Sequence, residues 1–429
     1  MHMMHEPRID PNWAAAHTAG VAAPAAEAAR DLVWDSRQVT PGAAFVALPG
    51  TRTHGNAFIE DAVARGAAFV LTDRPHPKAV QVQDPWQALL RLGRALRDRF
   101  PGPVVGVTGS VGKTTTKEAL AQGLAWPAPE GNLNTPPALA RFFLHLPPQA
   151  PGAVVELGID RVGEMQELVF LAQPTIGVLT AIAPAHLEAL GSLEVVAREK
   201  SQLLQASRVR IASTQAARYL SLPEVRTYGF EEGTFQGRDL TITPEGTRFR
   251  YGQRTLHLPY PGYGPALGAL AALAVAEVLG QDLDQVCQHL EALRLPPGRM
   301  HLVRRGGVLF IHDAYNANPA SVRAGLESLD RFPGRKIVVL GTMKELGPQA
   351  EAYHLEAARL AARVAQRAVF VGEYAPQMAR LFEGALAVTD AETARQALKA
   401  QVRPGDVIYL KASRAVGLER VLEGWDEDA

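Results

Sequence analysis

Apolar positions along this chain fall into three blocks with different periods. Between residues 31 and 84 short apolar runs such as "FVAL" and "AAFVLTD" are broken by turn residues, as in "PGTRTHGNAF". A helical pattern follows from about 86 to 100 and stops at "PGP", a strong punctuation. From 104 onward "PVVGV", "GAVVELG" and "PTIGVLT" are continuous apolar runs. Such runs suit parallel strands buried on both faces. "TTTKEALAQGLA" after the first of them predicts a helix. Residues 237 to 258 change to alternation with turn residues between runs, which predicts an antiparallel hairpin or meander. The most apolar run, "ALGALAALAVAEVLG" at 266 to 280, is too short and too rich in small residues to span a bilayer. It predicts a buried helix. "RLPPGRM" at 294 to 300 reads as a linker. Beyond it "GVLFIHD", "KIVVLG", "AVFVG" and "GDVIYL" alternate with helical stretches, the pattern of an open, doubly wound parallel sheet. The expected fold class is α/β in three domains: a small α/β N-terminal unit over 1–84, a central parallel-sheet domain over 85–298 and a C-terminal Rossmann-like domain over 299–429.

Composition narrows the field. The chain has 429 residues, with 44 basic and 44 acidic side chains. A balanced charge gives no nucleic-acid groove. One cysteine, Cys287, excludes an internal disulfide framework and a multi-cysteine metal site, and fits a reducing cytoplasm. The first 30 residues lack the basic start and apolar core of a signal peptide. A soluble cytoplasmic protein is expected, monomeric and without membrane insertion. Only eight of the 44 basic residues are lysines, which draws attention to each place where an amine is kept.

The chemistry concentrates where predicted strands end. In "VVGVTGSVGKTTTKEAL" (104–120) a strand feeds a glycine-rich turn that opens a helix. Backbone amides and the helix N-terminus there face an anion. The loop, Thr108, Gly109, Ser110, Val111 and Gly112, departs from the strict phosphate-loop spacing, because Val107 stands six residues before Lys113. Lys113 can reach terminal phosphates and the Thr114 hydroxyl can bind Mg²⁺. Glu156 ends the strand in "VVELG" and emerges at the same carboxyl edge, where a metal ligand is expected. His186, in "APAHLEALG", lies just past another such strand. A lone histidine is more often structural, but its place at this edge points toward function. Lys200, in "VVAREKSQLL", sits on a polar helix face and reads either as a solvated lysine or as an amine kept for its chemistry. A buried amine loses charge and becomes nucleophilic, able to capture CO₂ as a carbamate. In "IHDAYNANP" a strand ends at Asp313 and a polar turn with Tyr315, Asn316 and Asn318 precedes a helix. "LKASRA" brings Lys411, Ser413 and Arg414 to the end of the last strand, with Arg414 a fork for carboxylate or phosphate.

Together these stretches resemble the Mur ligases, ATP-dependent amide-bond-forming enzymes of peptidoglycan synthesis whose loop carries the same offset. "YNANP" and "LGTMKELG" (340–347) look like the branch that joins D-alanyl-D-alanine to UDP-N-acetylmuramoyl-tripeptide, and "DSRQVTPGAAFVALPG" (35–50) resembles its uridine-nucleotide-binding domain. By position the resemblance implies ATP with Mg²⁺, two ions, held by Lys113, Thr114, Glu156 and His186, and a carbamylated Lys200 as a further metal ligand. It makes Arg299, Asp313 and Asn316 nucleotide contacts. Ser36 and Arg37 become contacts to the UDP-sugar, and Asn134 in "GNLNTPPALA" is substrate-proximal, as are Asn318, Lys411, Ser413 and Arg414. The chain departs from the family pattern at "GYGPALG", where an adenine-contacting asparagine is missing near Gly268, and at Gln202, His312, Thr342 and Ala412. The resemblance also leaves open other Mur-type or folylpolyglutamate-type acceptors.

Overall fold

The three blocks of apolar pattern become three sheets in the computed structural model, which describes residues 8–50 and 53–425. The first sheet orders its strands Val21–Ala22, Ala79–Gln81, Phe69–Thr72, Ala43–Val46 and Asp31–Val33. All neighbours run parallel except the first pair.

The second sheet has eight strands. Val104–Thr108 lies between Ala153–Glu156 on one side and Ile176–Leu179 on the other. The chain therefore reverses its direction of winding at Val104–Thr108, and a crevice opens at the carboxyl ends of these strands. Val209–Ser213, Val225–Gly229 and Phe235–Thr243 continue the parallel order. Gly246–Tyr251 and Arg254–Leu258 close the sheet as the expected antiparallel meander.

Helix Tyr263–Leu279 buries alanine after alanine, Ala266, Ala269, Ala271, Ala272, Ala274 and Ala276 among them. Small side chains let its backbone approach the phosphate-loop helix, and a Cβ at Gly268 would stand 3.3 Å from the Thr115 carbonyl oxygen.

In the third sheet the order is His301–Arg305, Val308–His312, Val407–Lys411, Lys336–Gly341, Arg367–Val371 and Leu386–Val388. The four strands read from the sequence after the linker are parallel, and the short Leu386–Val388 adds a fifth. His301–Arg305 is a further addition, antiparallel to Val308–His312. The cause is the two-residue turn Gly306–Gly307, with φ of 59° and 74°. Positive φ at both positions makes a tight hairpin, which joins only antiparallel neighbours.

Packing is continuous across residue 84. Leu89, Leu92 and Leu96 of helix Pro85–Asp98 share one apolar cluster with Phe69 and Leu71 of the first sheet and with Val104 and Val155 of the second. Each fully buried leucine contributes about 1.5–3 kcal/mol. An ion cluster crosses the same seam. Asp31 accepts from Arg141 Nε and Nη2 at 2.7 Å each, and its Oδ1 lies 2.9 Å from His145 Nε2. No helix among the described residues is long and apolar enough to cross a membrane.

Candidate active site

Strand Val104–Thr108 delivers the loop and helix Lys113–Leu124 begins at Lys113. Gly109 has φ 153°, and a Cβ there would fall 1.9 Å from Thr180 Oγ1. Only glycine fits that close approach. Thr180 in turn donates to the Thr108 and Val111 carbonyls at 3.2 and 2.5 Å. Thr108 is fully buried, with its hydroxyl on Leu157 O at 2.7 Å. Ser110 is pinned by its hydroxyl to Ala183 O at 2.8 Å. Thr108 and Ser110 thus fasten the loop through their side chains, and Ser110 N adds a bond to Ala181 O at 2.8 Å.

The Thr114 hydroxyl is a junction. It donates to Glu156 Oε2 at 2.8 Å, and Arg299 Nη2 donates to it at 2.9 Å. Glu156 stands beside Val107 in the sheet. Its other oxygen, Oε1, accepts from Asn134 Nδ2 at 2.9 Å. The Arg299 guanidinium carbon lies 4.4 Å from the centre of the Tyr315 ring. Lys113 Nζ rests on Gly109 O at 2.9 Å. Burial pushes its pKa down; Glu156 and Asp160 oppose that and Arg299 adds to it.

Around this junction lies a cleft of about 410 Å³. Ser110, Val111, Gly112, Lys113, Thr114, Asn134, Glu156, His186, Arg299, Asp313, Asn316, Asn318 and Lys411 all line it. It spans the second and third sheets. Asn318 caps helix Pro319–Asp330 through a capping box with Ser321 and also donates to Ser110 O at 3.1 Å. Asn316 Oδ1 accepts from Ala317 N. Asp313 is heavily engaged: Lys411 Nζ at 2.6 Å and Tyr409 OH at 3.0 Å meet Oδ2, and Met300 N meets Oδ1 at 3.3 Å.

Lys200 lies on helix Leu193–Ala206 and is 0% exposed, so the face read as polar and solvated is turned inward. The reason is the company it keeps along the helix: Val196, Ala197, Leu203 and Leu204, three and four residues away on the same face, are all buried. Lys200 Nζ is buried without a hydrogen-bond partner. Burial, then the nearby Lys113 charge, drive its pKa well down, against the pull of Asp160, Glu156 and Glu164. His186 takes a left-handed φ of 51°. Its Nδ1 lies 2.5 Å from Glu345 Oε2 and 3.3 Å from Asp160 Oδ1.

Other expected residues stand apart from the cleft. Ser36 and Arg37 lie in the short turn Ser36–Gln38 of the first unit, with Arg37 forked onto Asp35. Ser413 Oγ accepts from Lys344 N at 2.9 Å. Arg414 pairs with Glu419 at 3.3 Å and lies 5.8 Å from the Tyr315 ring centre. Two participants escaped the sequence reading as site residues: Glu345 and Asp160. Glu345 lies within "LGTMKELG", and Asp160 stands two residues beyond "VVELG".

Among the described residues no group of three or more His, Cys, Asp or Glu side chains is arranged to hold a metal. The oxygens of Thr114 and Glu156 still suit Mg²⁺, a hard ion that keeps several waters and takes only one or two protein ligands beside phosphates.

Family models agree with this architecture along the chain. "Mur ligase family, catalytic domain" matches residues 31–98, "Mur ligase middle domain" 107–276, and "Mur ligase, glutamate ligase domain" 298–414. The chain belongs to the Mur ligase family. It is 31% identical to the UDP-N-acetylmuramoyl-tripeptide--D-alanyl-D-alanine ligase of Treponema pallidum, over 90% of this chain and 92% of that one. The enzyme of the same name from Bacillus subtilis is 31% identical, with 91% of each chain covered. Among solved structures, MurF from Acinetobacter baumannii superposes with a TM-score of 0.90 at 26% identity, covering 97% of this chain and 98% of that one. MurF ligase from Thermotoga maritima in complex with ADP gives 0.83 at 32% identity, over 92% and 96%.

Proposed function

We propose that the chain is an ATP-dependent amide ligase that adds D-alanyl-D-alanine to UDP-N-acetylmuramoyl-tripeptide, in cytoplasmic synthesis of the peptidoglycan precursor. The observation that carries this reading is the Thr114 hydroxyl. Phosphate loop, sheet-edge acid and an arginine at the edge of the last unit converge on it. The full-length likeness to relatives that bear this name supports the substrates.

A free carboxylate resists attack by an amine because it is anionic and lacks a leaving group. ATP removes both obstacles. The terminal carboxylate of the tripeptide attacks the γ-phosphorus, the bond to the ADP oxygen breaks, and an acyl phosphate forms. The free amine of D-alanyl-D-alanine attacks the acyl carbon, loses a proton, and inorganic phosphate leaves. Little covalent chemistry falls to the protein, whose part is positioning and charge neutralisation. Lys113 and Arg299 offset charge on the moving phosphoryl group, and the backbone of 109–114 cradles the phosphates. Thr114 and Glu156 would hold Mg²⁺, and His186 with a carbamylated Lys200 would hold a second ion; bound metal would add charge neutralisation for the phosphates. Lys200, unpaired and pushed toward its neutral form, suits carbamylation, which would turn an amine into two anionic oxygens.

The first unit, residues 1–84, holds the uridine end through Ser36 and Arg37. Residues 85–298 hold ATP. Those from 299 on bring Asp313 and Asn316 to the nucleotide and Asn318, Lys411, Ser413 and Arg414 toward the incoming dipeptide. The working unit is a monomer.

Coupled phosphate release tests the reading. UDP-N-acetylmuramoyl-tripeptide with D-alanyl-D-alanine is expected to release phosphate, single amino acids are not, and Lys113→Ala abolishes the signal. Release that needs no acceptor amine would overturn the proposal in favour of a nucleotide switch.

A further inference from the structure

Lys117 follows Lys113 by four residues on the phosphate-loop helix, so the two share a helix face. It is 1% exposed, one of the largest fully buried side chains in the molecule. Burying an ammonium is costly unless its donors are met, and here they are. Nζ donates to Pro129 O at 2.6 Å and Gly131 O at 2.8 Å, and lies 2.7 Å from Glu118 Oε1. An apolar side chain of similar length would fill the volume. Only a side chain with N–H donors answers the two carbonyls.

Those carbonyls belong to the loop that leads into helix Pro136–His145. Asn132, Asn134 and Thr135 of this loop line the cleft. Asn134 Nδ2 holds Glu156 Oε1 at 2.9 Å, and Glu156 Oε2 takes the Thr114 hydroxyl at 2.8 Å. Thr114 sits on the same helix as Lys117. The contacts therefore form a closed circuit: Lys117 to the 129–134 loop, Asn134 to Glu156, Glu156 to Thr114, and back along one turn of helix.

We infer that Lys117 is a positioning residue for the reaction. It sets the height of the 129–134 loop, so that Asn134 fixes the Glu156 carboxylate, and it joins the helix that grips phosphate to the substrate side of the cleft. The kinetic part of this inference rests on the ligase reading; the structural part stands without it.

Lys117→Met, Asn134→Ala and the double variant test it. In Lys117→Met, backbone amides of 130–134 should exchange with solvent at least about 10-fold faster, since local opening loses its restraint. Turnover should fall by about 10- to 100-fold, the scale of a small misplacement in an active site, while KM for ATP stays within about threefold because the phosphate loop is intact. If Lys117 acts through Asn134, the double variant should be no slower than the slower single variant. Additive losses, or wild-type turnover with a protected loop, would overturn the inference. A lower melting temperature with unchanged kcat would also overturn it, leaving Lys117 a role in stability alone. Should Lys117→Met not fold, Lys117→Gln keeps N–H donors on a shorter arm and should shift loop exchange and turnover in the same direction by less; wild-type values for both would overturn the inference. A wild-type protein that releases no phosphate sinks the ligase reading, and the exchange measurement then judges Lys117 by itself.

Discussion

Lys200 and Lys113 are both basic side chains near one phosphate-binding loop, yet their surroundings divide their roles. Lys113 has a carbonyl partner and a line to the cleft. Lys200 has no hydrogen-bond partner and no exposure. An arginine could not serve at 200, because it stays protonated. Replacing Lys200 by Ala should lower kcat by roughly 100-fold or more, as for other charge-stabilising groups. Added short-chain carboxylate should restore part of the rate, read as phosphate release, whereas Lys200→Arg should stay inactive. Full activity in Lys200→Ala would refute the proposed carbamate.

At this scale the sequence was legible where chemistry is local. Gly-Lys-Thr after an apolar strand announces Lys113 and Thr114 within a few residues. Glu345 was not legible as the partner of His186, because it arrives from another sheet and nothing near either residue encodes the meeting. The interior place of Lys200 was masked by its charged neighbours Arg198 and Glu199, although Val196, Ala197, Leu203 and Leu204 put it on the apolar face of the helix.

Among the elements, the phosphate-loop turn has little freedom. Gly109→Ala would drive a Cβ into Thr180 Oγ1 and within 2.9 Å of Ala181 N. That hydroxyl holds both Thr108 and Val111. The cost should be about 2 kcal/mol or more, seen as a lower melting temperature and at least about a tenfold loss of nucleotide affinity by calorimetry. An unchanged affinity would show that the turn does not cradle phosphate. Parallel strands such as Val104–Thr108 and Ile176–Leu179 were readable because burial on both faces demands continuous apolar runs. His301–Arg305 was not, since this edge strand carries two arginines and is only partly buried. Its existence depends on the glycine pair that follows.

For the molecule as a whole, the seam between the first and second sheets is tied by Asp31, Arg141 and His145. Burial by itself would raise the Asp31 pKa. Hydrogen bonds from His145 and Arg141 outweigh it and hold the carboxyl well below its ordinary 3.8. A depressed carboxylate stabilises the fold above the unfolded value, and that stability is lost as pH falls through the folded one. Asp31→Asn should therefore destabilise the protein near neutral pH by about 1–2 kcal/mol, discounted because Arg141 is partly exposed. The gap to wild type should narrow as pH falls below 3.8. Urea unfolding at several pH values measures this, and a gap that is flat with pH would refute the account. No sequence pattern links residue 31 to residues 141 and 145. Such pairings are decided by how whole layers stack.

Arg299 stands between Gly298 and Met300, both left-handed at φ 78° and 54°, and reaches back to the Thr114 hydroxyl. The backbone that turns the corner thus carries the finger on the trigger. A rotation of the last sheet about this corner would carry Arg299 off that hydroxyl, so this one contact depends on how the last sheet sits against the phosphate loop.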